Sequence, residues 1–256
     1  MVSRAKELMF DLESERMHEW MHETFSIPLE QEIDEDSPEW EEMADAYQNM
    51  MDGKNYEADM LWFEEHPYEE TYSAFASYLK KLFALVEKQS SEFVIFSDPT
   101  ILKMAYVHSV TLFEAMVGDM VKSAIIKRPY LMSRMVDKID DFNKGKKYTL
   151  KELHAHVGGV SGVVIDVLAS LTFHNVETTK KIIDVLCPKG TPDLNLKEMK
   201  VVVEKRHDFV HRNGRMMNDD YREINREMVL RDMKVVGEFA NEVYQRISGA
   251  MNEGAD

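Results

Sequence analysis

Cysteine is nearly absent from this sequence: Cys187 stands alone. A single thiol cannot close a disulfide within the chain, which points to a reducing compartment. Its simplest reading is a semi-buried residue at a helix end. The opening residues Met1-Val2-Ser3-Arg4-Ala5-Lys6-Glu7 lack the apolar block of a signal peptide, so the cytoplasm is the expected location. Long apolar runs are missing as well. The most apolar stretch, residues 157–173, is interrupted by Asp166 and three glycines, and no membrane span is expected. Strand-like segments are scarce. Phe93-Val94-Ile95-Phe96 is short and alone, and reads as a buried connector rather than part of a sheet. Gly158-Gly159-x-x-Gly162 lacks the Lys and Ser/Thr of a phosphate loop, and reads as a flexible joint. No repeat of solenoid length is present.

Basic residues are scarce at one end only. The net charge is −16, but 22 of the 47 acidic residues and only 4 of the 31 basic ones lie in residues 1–70. The remaining 25 acids and 27 bases leave a near-neutral body. A near-neutral body can hold a local basic cleft, although no large basic patch announces nucleic-acid binding. The acidic quarter reads as a solvated face; the sharper reading is a screen over the cleft or a dock for a basic partner.

What is present is helical periodicity. Residues 3–25 carry an apolar stripe of Leu8, Met9, Leu12, Met17, Trp20, Met21 and Phe25, which Ile27-Pro28 ends. Ser37-Pro38 opens a second helix, expected to pause near Asp52-Gly53 and resume through Trp62. Trp20, Trp40 and Trp62 read as anchors. Further helices are expected over 68–89, 99–126 (Asp98 as cap), 130–143, 150–156 with Thr149 as cap, 163–173, 176–187, 196–212 and 225–248. The fold is therefore expected to be all-α. An acidic N-terminal helical region, 1–90, should precede a helical bundle domain, 91–256. Nineteen methionines suit a plastic core or interface.

Reactive side chains concentrate in Glu204-Lys205-Arg206-His207-Asp208-Phe209-Val210-His211-Arg212-Asn213-Gly214. Gly214 supplies the left-handed residue that stops a helix, so Arg206 to Arg212 should form its last turns. The helix C-terminus favours cations. Three readings compete. In the first, His207-Asp208-x-x-His211 resembles the zincin pattern, with two histidines on one helix face but Asp where Glu is usual and no obvious third ligand. In the second, this is a charged helix end with Asp208 pairing Arg212 at i,i+4. In the third, it cleaves RNA without metal. An imidazole can take the 2′-OH proton or protonate the leaving 5′-oxygen, and a guanidinium can hold the scissile phosphate. Arg206 and His211 are five residues apart, so they point roughly 140° from each other on an ideal helix. They converge only if the helix loosens before Gly214 or if two subunits meet.

Arg206, four residues, then His211, with a polar residue directly after the arginine, resembles the signature of the HEPN superfamily. The string RHDFVHRNG is similar to the version found in bacterial HEPN proteins. The resemblance covers about residues 95–250. It implies a small helical bundle, usually a homodimer, with Arg206 and His211 as the catalytic pair across the dimer interface. His207, Asp208 and Asn213 would be supporting polar residues. In the same resemblance the helix from residue 99 is the first of the bundle, and its Glu114 could orient Arg206 or His211. Many members are metal-independent endoribonucleases of toxin–antitoxin, phage-defence and CRISPR-associated systems; some have no nuclease activity. The expected partners are RNA, a second copy of the chain, and an antitoxin or defence-system protein. No cofactor and no metal are expected. The alternative is a non-catalytic HEPN dimerisation module that binds a partner protein or nucleotide.

Overall fold

The computed structural model describes residues 4–31, 33–88, 99–143, 145–188 and 190–253, with side chains from residue 8 onward. The expected connector Phe93–Phe96 and the Asp98 cap lie outside the described residues. Among the described residues the architecture is all-α, with one isolated antiparallel bridge between Arg215 and Tyr221. No helix among them is long and apolar enough to cross a membrane.

The chain divides into two compact units, Met1–Asp59 and Met60–Asp256. In the first, α1 (Arg4–Thr24) and the opening of α2 (Pro38–Glu65) are joined by aromatic side chains. Trp20 meets Tyr47 edge-on at 5.3 Å, and His18 lies 5.0 Å from Trp40. Met21 and Met43 are buried. Ser37 Oγ accepts from the Trp40 amide at 3.0 Å, capping α2 as its sequence predicts. The stripe expected along α1 is only half used, since Leu8, Met9 and Leu12 are exposed. Nor does α2 pause at Gly53. Its helix runs on to Glu65, because a lone helical glycine costs only about 1 kcal/mol and leaves the hydrogen-bond ladder intact.

The boundary at Asp59 falls well before residue 90, and the reason is α3 (Tyr68–Glu87). Its Phe75, Leu79 and Val86 belong to the main core. Tyr72 stacks on Tyr244 at 4.1 Å and donates to Asn241 Oδ1 at 3.0 Å. A Cβ at Gly237 would lie 3.1 Å from Leu79 Cδ2, so the glycine lets α3 close onto the last helix. Each fully buried apolar side chain contributes roughly 1.5–3 kcal/mol, which sets α3 with the body.

The body is built around α4 (Thr100–Lys127). Tyr106, Val110, Phe113, Val117, Met120, Val121 and Ala124 are buried on several sides of it, the mark of a central helix. Around it pack α3, α5 (Pro129–Lys138), α7 (Gly159–Ala169), α9 (Lys197–Arg212) and α10 (Arg226–Asn252). The break between α4 and α5 is local: Arg128 precedes Pro129 and is extended, at φ −128° and ψ 102°. Short α6 (Leu150–Ala155) begins with a complete capping box of Thr149 and Glu152. The joint between α6 and α7 is tighter than a flexible linker. Gly158 and Gly159 have positive φ, and a Cβ on Gly162 would sit 1.8 Å from the Val157 carbonyl oxygen. Finally, α8 (Val176–Leu186) is capped by Asn175, whose side chain accepts from the amides of Glu177 and Thr178.

Candidate functional site

Contacts through three side chains, Tyr106, Lys205 and Lys103, pin α9 to its neighbours and so decide which motif residues face outward. The Tyr106 hydroxyl donates to the Val202 carbonyl at 3.0 Å, and the Tyr106 ring meets Phe209 edge-on at 5.2 Å. Lys205 Nζ donates to Asp232 Oδ2 at 2.6 Å. Lys103 Nζ reaches the helix end, donating to Asn213 Oδ1 at 3.0 Å and to its carbonyl at 3.3 Å. Asp232 is buried and also receives Arg231 at 2.8 Å. Burial beside Asp232 pushes the Tyr106 phenol far above its usual pKa, so it stays a neutral donor.

The helix ends at Arg212, where its sequence predicts, but the first left-handed residue is Asn213 and not Gly214. Asn213 is left-handed at φ 52°, and Gly214 follows at φ 92°. Both amides donate to the Asp208 carbonyl. Arg212, in the last turn, complements the helix dipole. There is no loosening before Gly214, so within one chain Arg206 and His211 keep their roughly 140° divergence.

Asp208 points inward. Its side chain is 8 % exposed and accepts from Arg222 Nε at 2.6 Å, while Arg212, the expected i,i+4 partner, stands farther off at 3.7 Å. Arg222 also donates to Glu204 at 2.6 Å. Burial works against the Arg222 charge, but its hydrogen bonds to Asp208 and Glu204 outweigh that and raise its pKa. Arg222 lies between the helices expected at 196–212 and 225–248, and no local pattern in the sequence shows that it returns to the motif.

His207 and His211 lie exposed on one face of α9, with ring centroids 4.7 Å apart. They form the histidine half of a zincin-like pattern, but Asp208 is turned away to Arg222. Among the described residues no group of three or more His, Cys, Asp or Glu is placed to hold a metal ion. Arg206 is half-buried, and its Nε is buried with no hydrogen-bond partner among the described residues.

Glu114 does not join this cluster. His174 Nδ1 lies 2.8 Å from Glu114 Oε1. The reason is axial distance: Glu114 is eight residues beyond Tyr106, which touches Val202, and eight residues of helix span roughly 12 Å. Elsewhere a groove of about 940 Å³ is lined by Arg134, Lys138, Asp141, Lys181, Asp184 and Cys187, among others. Arg134 there is committed to Glu253 at 2.7 Å, and burial raises the Cys187 thiol pKa. None of the motif residues lines that groove.

The structure thus brings together His207 and His211, sets Arg206 one position before them, uses Asp208 and Asn213 as anchors, and separates Glu114. Comparison with protein-family models, with curated proteins and with solved structures finds no match to this chain.

Proposed function

We propose that this chain is a metal-independent endoribonuclease of the HEPN type, working as a homodimer in a toxin–antitoxin or phage-defence role. One observation carries the reading. In the last turns of α9, Glu204 and Asp208 are paired with Arg222, Lys205 with Asp232, and Arg212 lies beside Asp208. Arg206, with its unpartnered Nε, and the exposed His207–His211 pair are what remains for a ligand. A guanidinium that makes no hydrogen bond through its Nε among the described residues is not held by a protein partner there, and the fork can offer its donors in pairs to phosphate oxygens.

In this mechanism a ribose 2′-oxygen attacks the adjacent phosphorus and the P–O5′ bond breaks. One imidazole takes the 2′-OH proton and another supplies a proton to the departing 5′-oxygen. The products are a 2′,3′-cyclic phosphate and a 5′-hydroxyl. Arg206 holds the non-bridging oxygens as charge builds on them. Because α9 is unbroken, the Arg206 of one chain is paired with the His211 of its copy. Exposed Ile101, Met104, Val201 and Val210 on α4 and α9 offer apolar surface for that contact.

The test is RNA cleavage in EDTA by wild type, Arg206→Ala and His211→Ala, with folding checked by circular dichroism. Both variants should lose cleavage, and a mixture of the two should regain part of it through composite sites. Wild-type activity in both folded variants overturns the reading. A second reading, a partner-binding module without catalysis, draws on Leu8, Met9 and Leu12, which α1 exposes within an acidic unit. A stoichiometric partner whose capture ignores His211→Ala would favour it.

A further inference from the structure

The segment after α9 is not a slack loop. Arg222 N donates to the Gly214 carbonyl and Met216 N to the Asp220 carbonyl, both at 2.8 Å. These two bonds flank Arg215 and Tyr221 and make them a non-hydrogen-bonded antiparallel pair. In such a pair the side chains stand on the same face at their closest spacing. The hairpin is also fastened to the motif. Arg222 grips Asp208 and Glu204, the Arg215 amide donates to the Arg212 carbonyl at 3.0 Å, and Gly214 sits against Phe209.

The hairpin is tied through Arg222 to Glu204 and Asp208, which on the helix adjoin the face of His207 and His211. It holds out a Tyr221 ring that is 70 % exposed and an Arg215 side chain that is 57 % exposed. Arg215 has Asp219 at 3.6 Å, a pair so open to solvent that a phosphate can replace the carboxylate. An exposed aromatic ring next to a guanidinium, on a fixed support, fits an unstacked base followed by its phosphate.

We infer that the Arg215–Tyr221 hairpin is the substrate-reading element of the candidate site. It takes single-stranded RNA, stacking a base on Tyr221 and holding a neighbouring phosphate at Arg215. Bases inside a duplex have no free face and are refused. The inference rests on the ribonuclease reading above and adds the class of RNA that the site accepts.

The experiment measures anisotropy of a fluorescein-labelled 2′-fluoro oligonucleotide of mixed sequence, single-stranded or annealed, with the full chain. Lacking the 2′-hydroxyl nucleophile, this RNA cannot be cut, so binding is read apart from cleavage. Tyr221→Ala should weaken single-strand binding about tenfold, and Tyr221→Phe should restore it. Arg215→Ala should weaken binding and flatten its salt dependence by about one phosphate contact. Equal binding of the duplex, failure of every protein to bind, or Tyr221→Ala binding as wild type does would each overturn the inference. The last result, together with cleavage of ordinary RNA that His211→Ala abolishes, removes the hairpin's role and leaves the nuclease. Tyr221-dependent binding without any cleavage removes the nuclease and leaves the hairpin.

Discussion

Replacing Arg222 with Ala should destabilise the body strongly, although the residue belongs to no helix. Its Nε donates to the carboxylate of Asp208, which is 8 % exposed, and its Nη2 donates to Glu204, which is 71 % exposed. The two bonds differ in worth. The exposed pair contributes about 0–1 kcal/mol. Removing the partner of a buried charge costs about 3–5 kcal/mol, because the stranded carboxylate has lost its water and gained nothing. Arg212, at 3.7 Å, can move in and recover part of that. The expected loss is therefore about 3 kcal/mol, or a fall of roughly 6–12 °C in Tm. Urea unfolding at pH 7 measures it, and a double-mutant cycle isolates the cause. Asp208→Asn removes the charge while keeping the shape, so Arg222→Ala should cost much less in that background. A loss under about 1 kcal/mol, or a cycle that simply adds, would refute the buried-charge argument. Glu204→Gln should change stability by less than about 1 kcal/mol and serves as the exposed control.

Two glycine substitutions should move stability in opposite directions. Gly162→Ala places a Cβ 1.8 Å from the Val157 carbonyl oxygen and should cost several kcal/mol or prevent folding; Gly53→Ala, in a helix with open space around it, should stabilise by roughly 0.5–1 kcal/mol in thermal unfolding. Burial raises the Cys187 pKa, so at pH 8 the folded protein holds less thiolate than an exposed cysteine would. Alkylation by iodoacetamide should therefore be slow in the native protein and speed up in urea, and a native rate equal to that of free cysteine would contradict the burial.

The helices were legible where local chemistry writes them. Ser37-Pro38, Thr149 and Asn213-Gly214 each mark an end, and the structure places helix ends there. The shared face of His207 and His211 followed from their spacing of four. Caps, prolines and the 3.6-residue period act over a few positions, and so the sequence alone was enough to expect the helices seen among the described residues and one dense reactive helix end. Helix packing, not local pattern, turns Asp208 inward to Arg222, brings Lys103 to Asn213 and sets Glu114 against His174. Those pairings join residues 14, 110 and 60 positions apart, and no periodicity reaches so far. They are settled by which helix faces bury against α4, and a polar group carried inward by that packing must take whatever partner the neighbouring segment brings.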